Sequence, residues 1–165
     1  MKARRAAAWA RELGEAQVLV PALATVAFVE LELGFPDAAT GAMEELTLAV
    51  PNRTYLFDLA LLAGEPRVNG YLRAMLPPVS AMPSKWLSAM RDVLNGRFDD
   101  AIATVEGMGA RTYAALIRTR AAEHLVVAGR DAEADRHLAL ALDFWRSVRA
   151  QRYIRRAERL LSKVG

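Results

Sequence analysis

Two histidines, His124 and His137, stand on either side of a glycine at position 129, so the arms of a helical hairpin would bring them near each other. A pair of imidazoles can hold a transition metal, but such sites draw further ligands from thiolates or from His-Glu-x-x-His spacing. The chain has no cysteine and no such motif, so both read as histidines on polar helix faces, and no metal is expected. Two carboxylate pairs, Glu44-Glu45 and Asp99-Asp100, could do acid–base work only if they converged in a cleft with displaced pKa values. Within helices they read instead as water-facing groups. The phosphate-cradling glycine pattern ending in Lys-Ser/Thr is absent, and so is the dinucleotide glycine fingerprint. The expectation is a chain that is not an enzyme and carries no cofactor.

The charge that remains is concentrated at one end. From Phe144 onward stand Arg146, Arg149, Arg152, Arg155, Arg156, Arg159 and Lys163 against Glu158 alone, a surplus of six, whereas the whole chain carries only +3. Such a tail can meet phosphates or acidic lipids. Its spacing also leaves Tyr153, Ile154, Ala157, Leu160, Leu161 and Val164 on the opposite face of a helix, so Arg149, Arg152, Arg155, Arg156 and Arg159 read first as a solvated basic surface. Nucleic acid is not an expected partner on that reading, and neither is a membrane.

With 165 residues and 53% apolar content, the chain can bury a core as one domain or one short repeat array. The absence of cysteine fits a reducing cytoplasm. The longest apolar stretch, Val18 to Val29, holds Pro21 and Thr25 and ends at Glu30, which is short for a membrane span. No segment shows the period-two alternation of a half-buried strand, so an all-α fold is expected.

Helices are predicted over 2–13, 17–33, 36–49, 54–63, 67–75, 85–94, 98–106, both arms of the hairpin within 113–147, and 151–162 as a terminal cap. Gly14, Gly34, Gly64, Gly96 and Gly129 punctuate them, and the proline-rich stretch 76–83 is an irregular break in an otherwise single domain spanning 1–165.

Gly34, Gly64, Gly96 and Gly129 are separated by 30, 32 and 33 residues, a period that marks stacked hairpins. Seven residues before the glycine stand Ala27, Ala89 and Ala122, and five after it Ala39, Ala101 and Ala134; the second unit instead has Phe57 and Asn69. Small residues there let two helices approach closely. This pattern resembles the tetratricopeptide repeat, best over 115–148, and the resemblance implies a right-handed α-α superhelix of about nine helices with a C-terminal capping helix. Trp86-Leu87, Asn95 to Ala101, Ala128 to Ala134, Phe144 to Val148 and Arg152 to Arg155 are further similar to the C-terminal repeats of large bacterial signalling proteins. Those carry an ATPase module, often with a class III nucleotide cyclase or a LuxR-type DNA-binding domain. On that likeness the first helix would be the second half of a hairpin.

In such arrays the first helix of each unit lines a groove, which the resemblance places at Phe28, Leu31, Asp58, Leu61, Trp86, Met90, Val93, Thr119, Glu123 and Val126. The set is mostly apolar and lacks arginine or lysine, so it suits an apolar helix or a neighbouring subunit rather than an anionic peptide end. The expected function is a protein-protein interaction scaffold, the sensor or scaffold portion of a bacterial signalling or transcription-regulatory system, able to form a homo-oligomer. The second reading is a nucleic-acid-binding helical domain using the basic last helix.

Overall fold

The computed structural model describes residues 2–49, 56–78 and 83–164, and among these every regular element is helical. Contacts divide the chain into two compact units, Met1–Leu87 and Ser88–Gly165. The first contains α1 (Lys2–Leu13), α2 (Ala16–Leu33), α3 (Pro36–Ala49), a 3-10 helix (Leu56–Leu62) and α4 (Pro66–Met75). The division falls inside α5 (Lys85–Leu94), and the second unit continues with α6 (Phe98–Glu106), α7 (Arg111–Val127), α8 (Asp131–Ser147) and α9 (Gln151–Val164).

Sequence neighbours pack on each other within each unit: α1 on α2, α2 on α3 and the 3-10 helix on α4 in the first, α6 on α7, α7 on α8 and α8 on α9 in the second. Three contacts skip an element: α2 with the 3-10 helix, α3 with α4 and α7 with α9. First arms of successive hairpins therefore touch each other as well as their own partners.

The turns explain why the chain folds back where it does. At Gly34, Gly96 and Gly129 the glycine has positive φ (84°, 75° and 69°), which an L side chain adopts at a cost. The same pair of hydrogen bonds closes each helix. The Phe35 N–H donates to the Glu30 carbonyl at 2.9 Å, Arg97 to Asp92 at 2.8 Å and Arg130 to Leu125 at 2.9 Å, while each glycine N–H reaches a carbonyl three residues back. The six alanines in fixed register around these glycines are all buried, none more than 3% exposed. Close helix approach is thus realised in three of the four units.

The second unit of the repeat departs from this pattern. Helical structure predicted over 54–63 is a 3-10 helix at Leu56–Leu62, with Thr54 and Tyr55 outside the described residues. So short a segment, stopped by Gly64 and Pro66, has little room for i-to-i+4 bonding, and tighter turns serve in such pieces. Asn69, which stands where the other units have alanine, accepts the Gly64 N–H at 3.0 Å through its side-chain oxygen. The missing small residue is replaced by a cap. Of the irregular stretch 76–83, residues 76–78 and 83 are outside any helix, and 79–82 lie outside the described residues.

The turn after α8 uses no glycine. Arg149 takes φ 56°, the one positive φ outside glycine among the described residues, and closes α8 in the same way: Ala150 N–H donates to the Trp145 carbonyl at 2.9 Å and Arg149 N–H to Arg146 at 3.1 Å. A side chain in this conformation costs about 1 to 2 kcal/mol. Arg149→Gly should therefore stabilise the protein by about 1 kcal/mol after the entropy of the freer unfolded chain is deducted. A denaturant midpoint that does not rise would show that the turn is unstrained.

In the second unit Leu138, Leu142, Leu125, Ala122, Ala134 and Ala157 form the core, covered by Val126, Ile154, Leu160 and Leu161. The expected apolar face of α9 is the face that packs. Trp145 is buried beside it, its ring stacked on Tyr153 at 4.3 Å and its indole N–H donating to the Thr119 hydroxyl at 3.3 Å. In the first unit, α2 alone is long and apolar enough to cross a membrane by length and composition, with 18 residues and mean hydropathy 1.6. The sequence estimate of Val18 to Val29 understated its apolar length. Here α2 packs on both α1 and α3 and holds a buried glutamate, Glu30.

Candidate functional site

The groove residues inferred from the repeat register differ in exposure. Phe28 and Trp86 are half-buried, as are Leu31 and Leu61. Met90 and Thr119 are corrections: at 2% and 1% exposure both belong to the core. Thr119 faces inward because its hydroxyl donates to the Ala115 carbonyl at 2.9 Å and accepts the Trp145 indole, a pairing 26 residues apart with no local sequence signal. Val93 is buried, and Val126 packs on the core. Glu123 is reachable but engaged, receiving Arg156 Nε at 2.6 Å and Nη2 at 3.0 Å. Asp58 lies in the 3-10 helix, and its side chain is outside the described residues.

That last fork also corrects the basic surface. Arg156 spends its charge stapling α9 to α7, while Arg149, Arg152, Arg155 and Arg159 are exposed.

A cleft in the first unit was not anticipated. Arg4, Ala7 and Arg11 recur along one face of α1; Ala38, Gly41, Ala42 and Glu45 recur along α3; Val26 and Glu30 of α2 form the floor, and the cavity measures about 380 Å³. Two arginine forks span it. Arg4 donates to Glu30 at 2.7 and 3.0 Å, and Arg11 to Glu45 at 2.6 Å through each nitrogen. Glu30 is 1% exposed, and its carboxyl is held below the ordinary carboxylate range chiefly by the Arg4 hydrogen bonds, against the opposing effect of burial. Glu45 is lowered in the same way by Arg11. Glu30, the first charge to interrupt the apolar stretch that begins at Val18, was the available signal for this pairing.

A similar cleft of about 240 Å³ lies in the second unit over the alanines Ala114 and Ala115 of α7, flanked by Leu140, Asp143 and Phe144 of α8 and by Glu106 of α6. Arg118 pairs with Glu106 at 2.9 Å, and Arg111 sits over the Phe144 ring at 5.7 Å. Both clefts lie across one first arm and the second arms that flank it. Small residues at the helix crossings leave room for both.

The two histidines do converge on one cavity, of about 100 Å³, with Asp99, Phe98, Arg130 and Glu133. They are unlike each other. His124 is exposed and tilted against the Phe98 ring at 5.5 Å, as a polar-face residue should be. His137 is buried, 3.7 Å from Asp99 through Nε2, and Nδ1 finds no hydrogen-bond partner among the described residues. Its expected place on a polar face is therefore wrong, because α8 turns this side chain under α6. No group of three His, Asp or Glu among the described residues is placed to hold a metal.

Burial lowers the His137 pKa from 6.5; the Arg136 and Arg118 charges add to this, while Asp99 and Glu133 oppose it. The folded value lies below the unfolded one, so the unfolded chain takes up the proton first. Stability from the neutral imidazole is present above pH 6.5 and is lost as the pH falls from there through the lower folded value. The melting temperature should drop on acidification below that pH, and His137→Gln should flatten the drop; an unchanged profile would assign the loss to other groups.

These arrangements hold ion pairs and small-residue clefts. Comparison with family models, with curated proteins and with solved structures returns no match.

Proposed function

We propose that the chain is a protein-protein interaction scaffold built as a tetratricopeptide-like right-handed superhelix, serving as the sensor or scaffold portion of a bacterial signalling or transcription-regulatory system in the cytoplasm. The observation that carries this reading is the repeated register: alanine seven before and five after a positive-φ glycine, buried in three units. Contacts between first arms, α2 with the 3-10 helix and α7 with α9, also support it. Arrays of this kind present surfaces rather than reaction centres, and no cofactor is needed.

The partner is an apolar helix or a second subunit, and Trp86 is the side chain proposed to meet it. A half-buried tryptophan offers the large contact area that dominates such interfaces. Trp86→Ala should weaken self-association in sedimentation experiments, or binding of a panel of amphipathic helical peptides, by about tenfold or more, a loss of at least ~1.4 kcal/mol. Circular dichroism should show the helices intact. Unchanged association in both assays would defeat the proposal.

A further inference from the structure

Helix α1 turns its largest apolar side chains away from the unit it belongs to, and we propose that this outer face is a self-recognition surface whose occupant is a second copy of the chain, packed antiparallel. The fully buried residues of the helix are alanines, Ala7 and Ala10. Outward stand Trp9 and Leu13, 56% and 64% exposed, with Lys2, Arg5 and Glu12 exposed beside them. At 3.6 residues per turn these five share an arc of about 100°. That is the inverse of the usual surface helix, which buries its large apolar residues. The Arg5 guanidinium lies over the Trp9 ring at 4.9 Å and holds it on the outer side.

The charges on this arc select the occupant. Lys2 and Arg5 stand in the first half of α1 and Glu12 in the second. Among the described residues Glu12 holds no ion pair, and Arg5 has no partner but the Trp9 ring. An antiparallel copy, related by a two-fold axis between Ala8 and Trp9, sets each Arg5 against Glu12 of the other copy, and the two Trp9 rings meet at the axis. A parallel copy would set like charges together. An anionic membrane would attract Lys2 and Arg5 but repel Glu12 on the same arc. Contact with α9 of another copy would bring Lys2 and Arg5 against the exposed Arg155 and Arg159. A self-complementary patch closes as a symmetric dimer, in which the tryptophans supply affinity and the rim charges fix the register.

The contact is small. With 12 residues α1 is about 18 Å long, which places the interface at the transient end of the size range and its dissociation constant in the micromolar range or above. It uses α1 alone and does not rest on the repeat register or on Trp86 of α5.

The test is sedimentation equilibrium of the full chain over a range of concentrations, which should show monomer passing to dimer. Trp9→Ala should weaken the dimer at least about tenfold and leave the melting temperature unchanged, because the ring is exposed. Arg5→Glu and Glu12→Arg should each weaken it as well, since like charges then face each other across the two-fold axis. Neither harms α1, whose dipole favours an acid near its start and a base near its end. An equimolar mixture of those two variants should dimerise again, because each supplies the charge that the other lacks. The proposal is overturned by a monomer at every concentration, by a dimer that Trp9→Ala or both charge variants leave as tight as before, or by a mixture no better associated than its components. All of these variants keep Trp86, so their failure would leave the reading of that residue standing.

Discussion

Leu138→Ala is expected to lower the unfolding free energy by about 2 to 5 kcal/mol, the range for emptying a buried leucine site. Leu138 is fully buried among Ala122, Leu125, Ala134, Leu142 and Ala157. Three of those five neighbours are alanines, which have no rotamers with which to fill the space, so the cavity persists and the cost falls in the upper part of the range. Leu140, two residues along α8, is 48% exposed and provides the control. Its change to alanine should stay within about 0.5 kcal/mol. Denaturant melts of the two variants read the difference directly, and equal shifts would mean that α8 faces the core by another side.

Much of the fold was legible because local chemistry and tertiary packing agree. Glycines that end helices by positive φ, apolar residues at helical spacing and alanines at crossing points are all signals written within a few residues. The helices from α5 onward appear within two residues of their expected ends. Where packing overrides local pattern, the reading fails. Segment 54–63 has the composition of a helix but becomes a 3-10 piece, and Asn69 proves to be a cap rather than a lost alanine.

The candidate surface was harder to read, because exposure depends on which helix lies across a residue. Thr119 and Met90 occupy groove positions by register and core positions in space. Thr119 is held there by a tryptophan 26 residues away. The arginine forks Arg4–Glu30, Arg11–Glu45 and Arg156–Glu123 join residues 26 to 34 apart, roughly one repeat. A search for opposite charges one repeat apart would have found them; a search for motifs could not.

The repeat register itself can be tested by overpacking. Ala134→Leu places a larger side chain at a site with no exposure, in the hairpin where Ala122 is equally buried. Leucine is nearly as good a helix former as alanine, so α8 should lose nothing in propensity. The helices must instead move apart or the side chain must leave its preferred rotamer, at about 1 to 3 kcal/mol. Ala39→Leu and Ala101→Leu stand at the same offset from Gly34 and Gly96 and should cost comparable amounts, since those sites too are fully buried. Ala132→Leu, exposed on the first turn of α8, should change stability by no more than about 0.5 kcal/mol. If the three buried sites tolerate leucine as readily as Ala132 does, the alanines are composition rather than register. The reading of the chain as stacked hairpins would then lose its principal support.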